Sequence, residues 1–282
     1  MIKLLRANFT RMRKDKIFWL CFAASAVFGI LRCVSGSQRM NQYHFEVTLE
    51  SQIFPSFCFI GIASAVFSSI FIGTEYGDGT IRNKVIVGST RDDIYLSNLI
   101  TCAAASVLIE CAYLAAVCAA GIPMFGFFTL SPLAALLWLA IGLLMTIAFA
   151  ALFCLLAMLN QNKALTAIFS LLFVFAALIF SVYLYSRLGE PEFVQSISIS
   201  TNADGTTMYE SGGDSSMPNP LYIGDTQRAV YQTLLDILPA GQGVQLMDCN
   251  VVHPELMLVY SVLIIAGSTV AGVFVFRRKD LK

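Results

Sequence analysis

"GTEYGDGTIRNKVIVGSTRDDIYLSNLI", residues 73–100, sets seven charged side chains (Glu75, Asp78, Arg82, Lys84, Arg91, Asp92 and Asp93) between two long apolar runs. What surrounds it decides the fold. The chain is 57% hydrophobic and 13% charged, where an average soluble domain is about 25% charged. Six apolar stretches recur, at 17–34, 53–73, 99–120, 132–158, 164–185 and 256–276. At about 1.5 Å per residue each is long enough, as a helix, to cross a hydrocarbon core roughly 30 Å thick. A water-soluble fold would have to bury all six and has too little polar surface to cover the result. The expected fold class is therefore an all-α integral membrane protein with six transmembrane helices.

The net charge of zero hides an asymmetry. Six Lys or Arg precede the first span, three lie between spans two and three, Lys163 adds one and the tail "RRKDLK" four. The opposite side holds Arg32, Arg39, Arg187 and Arg228. Basic short loops stay in the cytoplasm, which predicts a multi-pass cell-membrane protein with both termini cytoplasmic. The N-terminal segment does not read as a cleaved leader. Its basic region is long, and small-residue pairs fall only inside the apolar run. Within residues 1–16, Ile2, Leu5, Phe9 and Met12 form a helical stripe beside Lys3, Arg6, Arg13 and Lys16. That pattern suits a helix lying against lipid head groups, and also a plain basic topology signal.

Span two carries Gly61, Ala65 and Ser69 one helical turn apart, with Phe57 and Ser64 beside them. Small residues let helices approach closely in lipid, so these five are candidates for a pathway or a dimer interface. The inside of one bundle fits the stripe equally well. Phe169, Phe173 and Phe180 line one face of span five and suit either lipid or a cavity wall. Residues 186–253 differ in texture and read as an extracellular α/β or loosely ordered segment. A short alternating piece gives way to turn residues. "DTQRAVYQTLLDILPAGQG" then predicts a helix with Val230, Leu234 and Leu238 on one side, stopped by Pro239 and Gly241.

Little in the chain points to catalysis. Glu110 is the one acidic side chain within the spans as read here. A carboxyl at membrane depth is either functional or a protonated group bonded to a neighbouring helix. The two histidines, His44 and His253, both fall outside the spans. No H-E-x-x-H, G-x-S-x-G or pair of membrane aspartates occurs, and intramembrane hydrolysis needs a nucleophile with a base or two carboxylates. The eight cysteines show neither disulfide nor metal spacing and read as small packing residues. Nor is there a G-x-x-x-x-G-K-[ST] loop for nucleotide phosphates. Uphill transport would have to draw on an ion gradient or on another polypeptide.

The opening stretch then acquires a meaning. Asp78, Gly79 and Thr80 predict a turn with capping side chains, followed by about two helical turns over 80–87. Ile81 and Val85 share one side, Arg82 and Lys84 lie away from them, and Gly88 ends the piece. Thr90 and Asp93 form an acidic variant of the capping box that opens span three. The result is a tethered loop or a rigid knob that a soluble partner can push.

The pattern E-Y-G-x-G-T-I-R-N-K followed by G-x-[ST]-R resembles the membrane subunits of type-two ABC exporters, and among them the bacterial lantibiotic-immunity and multidrug-like permeases. "LLDILPAGQG" before span six and the "FRRKDLK" ending are similar to that group as well. The resemblance implies that 1–16 is an interfacial elbow helix and 80–87 a coupling helix seated in an ATP-binding partner. It implies a contact set of Glu75, Gly79, Thr80, Ile81, Arg82, Lys84 and Arg91, and a shared pathway lined by spans two and five. Two permease subunits, alike or different, would pair with two ABC ATPases in the bacterial plasma membrane. ATP and Mg would be used by the ATPase, with no cofactor bound by this chain and no nucleic-acid partner. The implied cargo is a peptide, lipid or drug-like compound, antimicrobial peptides included. Two other readings stand beside it: a gradient-driven carrier or channel using Glu110, and a membrane sensor binding ligand through 186–253. Carriers usually show inverted repeats, and none is visible.

Overall fold

A computed structural model describes residues 1–44, 46–160, 162–201 and 207–279. Residues 202–206 and the end of the basic tail, Lys282 included, lie outside the described residues. Six long helices dominate: α2 (Lys16–Tyr43), α4 (Ser56–Gly77), α6 (Arg91–Phe125), α7 (Pro132–Leu159), α8 (Lys163–Leu188) and α11 (Pro254–Arg278). Each is long and apolar enough to cross a membrane, where a helix satisfies its own backbone groups. Five short helices accompany them: α1 (Ile2–Lys14), α3 (Glu50–Ile53), α5 (Thr80–Ile86), α9 (Asp225–Ile237) and α10 (Pro239–Met247). A hairpin of β1 (Phe193–Thr201) and β2 (Thr207–Pro218) completes the set. The protein is an all-α, multi-pass integral membrane protein.

Helix starts follow local capping. The Asp15 carboxylate accepts the Ile17 and Phe18 amides at 2.7 and 3.3 Å and begins α2. Thr90 Oγ1 accepts the Asp93 amide at 3.2 Å and begins α6. Asn162 caps α8, and Ser131 with Pro132 at the first position starts α7. These polar starts carry the helices beyond their apolar cores. α2 runs on to Tyr43, and α6 begins at Arg91.

α4 is the central rod. Two thirds (67%) of its most apolar window is buried, against 17% for α2 and for α11 and 22% for α8. Small residues make this possible. Gly61 meets the Phe149 ring so closely that a methyl group there would sit 3.1 Å from it. Gly142 on α7 accepts the Phe57 ring in the same way. Ser64 and Ser106 hydroxyls meet at 2.8 Å, and the Ser69 hydroxyl donates to Ser170 at 3.2 Å. Phe57, Gly61, Ser64, Ala65 and Ser69 are thus all buried within one chain. The expectation that they line a pathway or dimer interface is corrected: α7, α8 and α6 already occupy that face. Ser64→Ala is expected to cost only about 0.6 kcal/mol, typical of polar pairs inside membrane bundles, measured as a small drop in unfolding free energy in mixed micelles.

Three carboxyls besides Glu110 are buried among the described residues: Glu50, Glu75 and Asp236. Glu50, on α3 where span two really begins, accepts the Thr129 and Leu130 amides and the Thr129 hydroxyl, the latter two at 2.8 and 3.0 Å. It ties that start to the α6–α7 connection. Glu75, near the end of α4, is taken up below.

The 186–253 region is more ordered than its composition suggests. β1 and β2 pair antiparallel with a register shift between Gln195 and Ile197. Pro239 does end α9, but it also occupies the first position of a further helix, because Leu238 takes an extended conformation between the two. From Pro239 to Leu246 every residue of α10 is buried, wedged among α4, α7, α8 and α9. The stripe expected on α9 is replaced accordingly: Val230 is exposed, and Leu235 and Asp236 face inward. Asp236 accepts Gln232 at 2.9 Å and Gln245 at 3.0 Å and meets His253 Nδ1 at 2.9 Å. Gln242 donates to the Asp236 carbonyl at 2.8 Å and accepts the Ser261 hydroxyl at 2.9 Å. The polar side chains that α10 buries are thereby satisfied, as burial requires.

Candidate functional site

The charged stretch folds into α5, a seven-residue helix between α4 and α6. Gly79 starts it in the left-handed region, with φ 66° and ψ 10°, where a β-carbon is strained. No side chain caps this end, so the expected capping by Asp78 and Thr80 is corrected. At the other end the Gly88 amide donates to Val85 O and the Ser89 amide to Lys84 O, both at 3.0 Å, with Gly88 at φ 93°. That is the Schellman arrangement, and it fixes the direction in which the chain leaves α5.

Below α5 lies a buried polar cluster. The Glu75 side chain is fully buried. It pairs with Arg11 Nη1 at 2.7 Å and with Lys84 Nζ, and accepts Asn98 Nδ2 at 2.8 Å. Asn8 closes the ring, donating to Asn98 Oδ1 at 2.6 Å and accepting Lys84 Nζ at 3.1 Å. The Arg11 guanidinium also lies 3.6 Å from the centre of the Phe71 ring and donates to the Phe71 carbonyl at 3.1 Å. One carboxylate therefore ties α1, α4, α5 and α6 together. A charge pair out of water needs its remaining hydrogen-bonding positions filled; Asn98 serves Glu75 and Asn8 serves Lys84, while Arg11 Nε has no partner among the described residues.

This geometry redistributes the expected contact residues. Glu75 and Ile81 are buried, and Lys84 turns in toward Glu75 instead of lying with Arg82. Glu75 and Ile81 offer no surface to a partner, which corrects that part of the contact set, while Lys84 is partly covered and spends its ammonium on Glu75 and Asn8. Arg91 donates to the Phe276 carbonyl at 3.1 Å and to Arg277 O at 2.9 Å, capping α11. Arg277 returns a bond to Asp92 at 2.7 Å. Lys279 donates to the Met158 and Leu159 carbonyls, both at 2.8 Å, and caps α7. Burial there pulls the Lys279 ammonium below the ordinary lysine range.

The open surface of α5 is Arg82, Asn83, Ile86 and Val87, with Gly79 and Thr80 partly covered. Ile86 and Val87 are 73% and 85% exposed, and Ile2 on α1 nearby is 81% exposed. A hollow of about 920 Å³ separates the start of α1 from α5, lined by Leu4, Asn83, Val87 and Asp93 among others. The buried face of α1 is also rotated from the expected stripe. Asn8 and Met12 are its buried residues, because Asn8 serves the Glu75 cluster. Nothing in the sequence singled out Asn8 or Arg11. The available signal was a polar residue one turn before Met12 and a carboxylate at the end of span two.

Elsewhere, Glu110 is 1% exposed and bonded to Ser56. Phe169, Phe173 and Phe180 remain about half exposed, at 53, 42 and 45%, with Phe173 edge-on to Phe153. Among the described residues no group of three His, Cys, Asp or Glu could hold a metal.

The model of the ABC-2 family transporter protein matches residues 4–177. The match runs from α1 through α5 and the Glu75 cluster into α8, and it ends before the β-hairpin, α9, α10 and α11. No curated protein matches the chain. A family match over more than half of the sequence, joined to six membrane-crossing helices, leads to one statement: this chain belongs to the ABC-2 family of transporter proteins, as a membrane permease.

Proposed function

We propose that the chain is the membrane half of an ATP-driven exporter and that α5 is the piece its ATPase pushes. The observation that carries this reading is mechanical. α5 is held at both ends by left-handed glycines and fastened through Lys84 and Glu75 to three other helices, yet it leaves Ile86 and Val87 uncovered. Exposed apolar side chains beside a basic one suit a protein partner. A displacement of α5 would reach α1, α4 and α6 through the Glu75 cluster. The working assembly in this reading holds two ABC ATPases using ATP and Mg, and a second permease copy or homologue. The side bearing both termini faces the cytoplasm of a bacterial plasma membrane. With α4 buried, a pathway between two permeases would be lined from span five, by Phe169, Phe173 and Phe180, and not from span two. The cargo is a peptide, lipid or drug-like molecule.

The test acts on residues that hold nothing else together. Arg82→Glu combined with Val87→Asp is expected to lower transport by at least about tenfold, equivalent to roughly 1.4 kcal/mol of coupling. Membrane insertion and thermal stability should be unchanged. A Val87→Cys variant should crosslink to an ATPase subunit in the native complex. Unchanged transport in the double variant, or a native complex without an ATPase, overturns the proposal.

A further inference from the structure

A cavity of about 490 Å³ opens between α2, α4 and α6. It exists because α2 packs along α6 and only lightly on α4. Its walls are apolar, with Leu20, Phe28, Phe59 and Val66 among them, and its polar side chains include Ser56 and Glu110. No Lys or Arg is among its described lining residues. The volume falls within the roughly 300–1,000 Å³ of small-molecule sites, as does the pattern of apolar walls with a few placed polar groups.

The hydrogen-bond count at its polar end is informative. Ser56 has one hydroxyl proton and two acceptors in reach, the Ile53 carbonyl at 3.0 Å and Glu110 Oε1. A proton on Glu110 satisfies all three groups, since Ser56 then donates to Ile53 and accepts from Glu110. Glu110 Oε2 accepts no hydrogen bond among the described residues. The carboxyl is thus supported from one side only, in a chamber that offers no cation to pair with it.

We infer that this cavity binds a lipophilic amine, with Glu110 as its proton donor and counter-ion. The amine enters neutral from the apolar side, and its nitrogen takes the Glu110 proton. The O–H bond breaks, an N–H bond forms, and the resulting ammonium stays paired with the carboxylate. The total charge in the cavity does not change, so the exchange avoids burying an isolated ion. The alkyl part lies against Leu20, Phe28 and Phe59. This inference stands apart from the ATPase reading, because it concerns binding to the chain and not what drives it.

The experiment uses the full chain in lipid nanodiscs. A lipophilic carbodiimide, which reacts with protonated carboxyls at membrane depth, is expected to modify Glu110, read by mass spectrometry. N,N-dimethyldecylamine at ten times its dissociation constant should slow that modification about tenfold, and decanol, of equal chain length, should not. The same amine should raise the melting temperature of the wild type and leave that of Glu110→Gln unmoved. Failure of Glu110 to react, equal protection by amine and alcohol, or an equal melting shift in Glu110→Gln would each overturn the inference. Equal protection would identify the cavity as a plain acyl-chain site. None of these outcomes depends on transport or on an ATPase.

Discussion

Glu75→Ala lowers the unfolding free energy by about 3 kcal/mol, the cost of removing one partner of a buried ion pair. The substitution leaves Arg11 and Lys84 facing each other without an anion, and Asn98 loses an acceptor. Two features make the effect large. The carboxylate is fully buried, and four helices meet at it. Lys84→Met in the Glu75→Ala background should recover part of the loss, because it removes one of the stranded cations. Reversible unfolding in mixed micelles reads both variants. A loss below about 1 kcal/mol, the value of an exposed pair, would mean that water reaches the cluster and that α5 is not fastened to the bundle.

The second large effect is expected at a glycine. In α10 a β-carbon on Gly243 would lie 2.7 Å from the Phe57 carbonyl oxygen and 3.1 Å from the Cys58 α-carbon. Those are backbone atoms of α4 and have no rotamer to yield. Helix propensity favours alanine over glycine by about 1 kcal/mol, so propensity alone predicts that Gly243→Ala stabilises. Overpacking costs about 1–3 kcal/mol in a tight core, and here it must push two helix backbones apart. The net result should be a loss of about 2 kcal/mol, with α10 displaced from the bundle and digested faster by protease. Gly267→Ala on α11 supplies the control, since nothing lies within 4 Å of its β-carbon position. That change should stabilise or be neutral. Stabilisation by Gly243→Ala would mean that α10 does not dock on α4 as described.

How much of this was legible in the sequence varies by element. The six spans could be read because a run of apolar residues long enough to cross lipid has few other uses, and because the Thr90 cap marks the start of span three. α5 was legible for a related reason: glycines at 79 and 88 bracket a short helical segment. What could not be read was direction. Lys84 and Arg82 look equivalent in sequence, and only the position of Glu75 beneath α5 turns one inward and leaves the other out. The stripe in span two was ambiguous because small residues signal a close neighbour without naming it. Here the neighbours are α7 and α8 of the same chain. α10 was missed because Pro239 reads first as a stop, and its role as a helix start depends on an extended Leu238. In the candidate cavity, Glu110 was visible alone, whereas Ser56 and the walls required the packing of α2 against α6.

The fastening of the bundle at its basic end also has an order in time. The carbonyl ends of α7 are held by Lys279, and Arg91 at the head of α6 holds the end of α11. A ribosome builds a chain from its first residue onward, so helices inserted early must wait, with bare carbonyls or an idle guanidinium, until α11 and the residues just after it have been made. A chain cut short just before Lys279 would keep the Arg91 bonds to Phe276 and Arg277 but leave the Met158 and Leu159 carbonyls without the ammonium that holds them, so one clasp would close and the other would not.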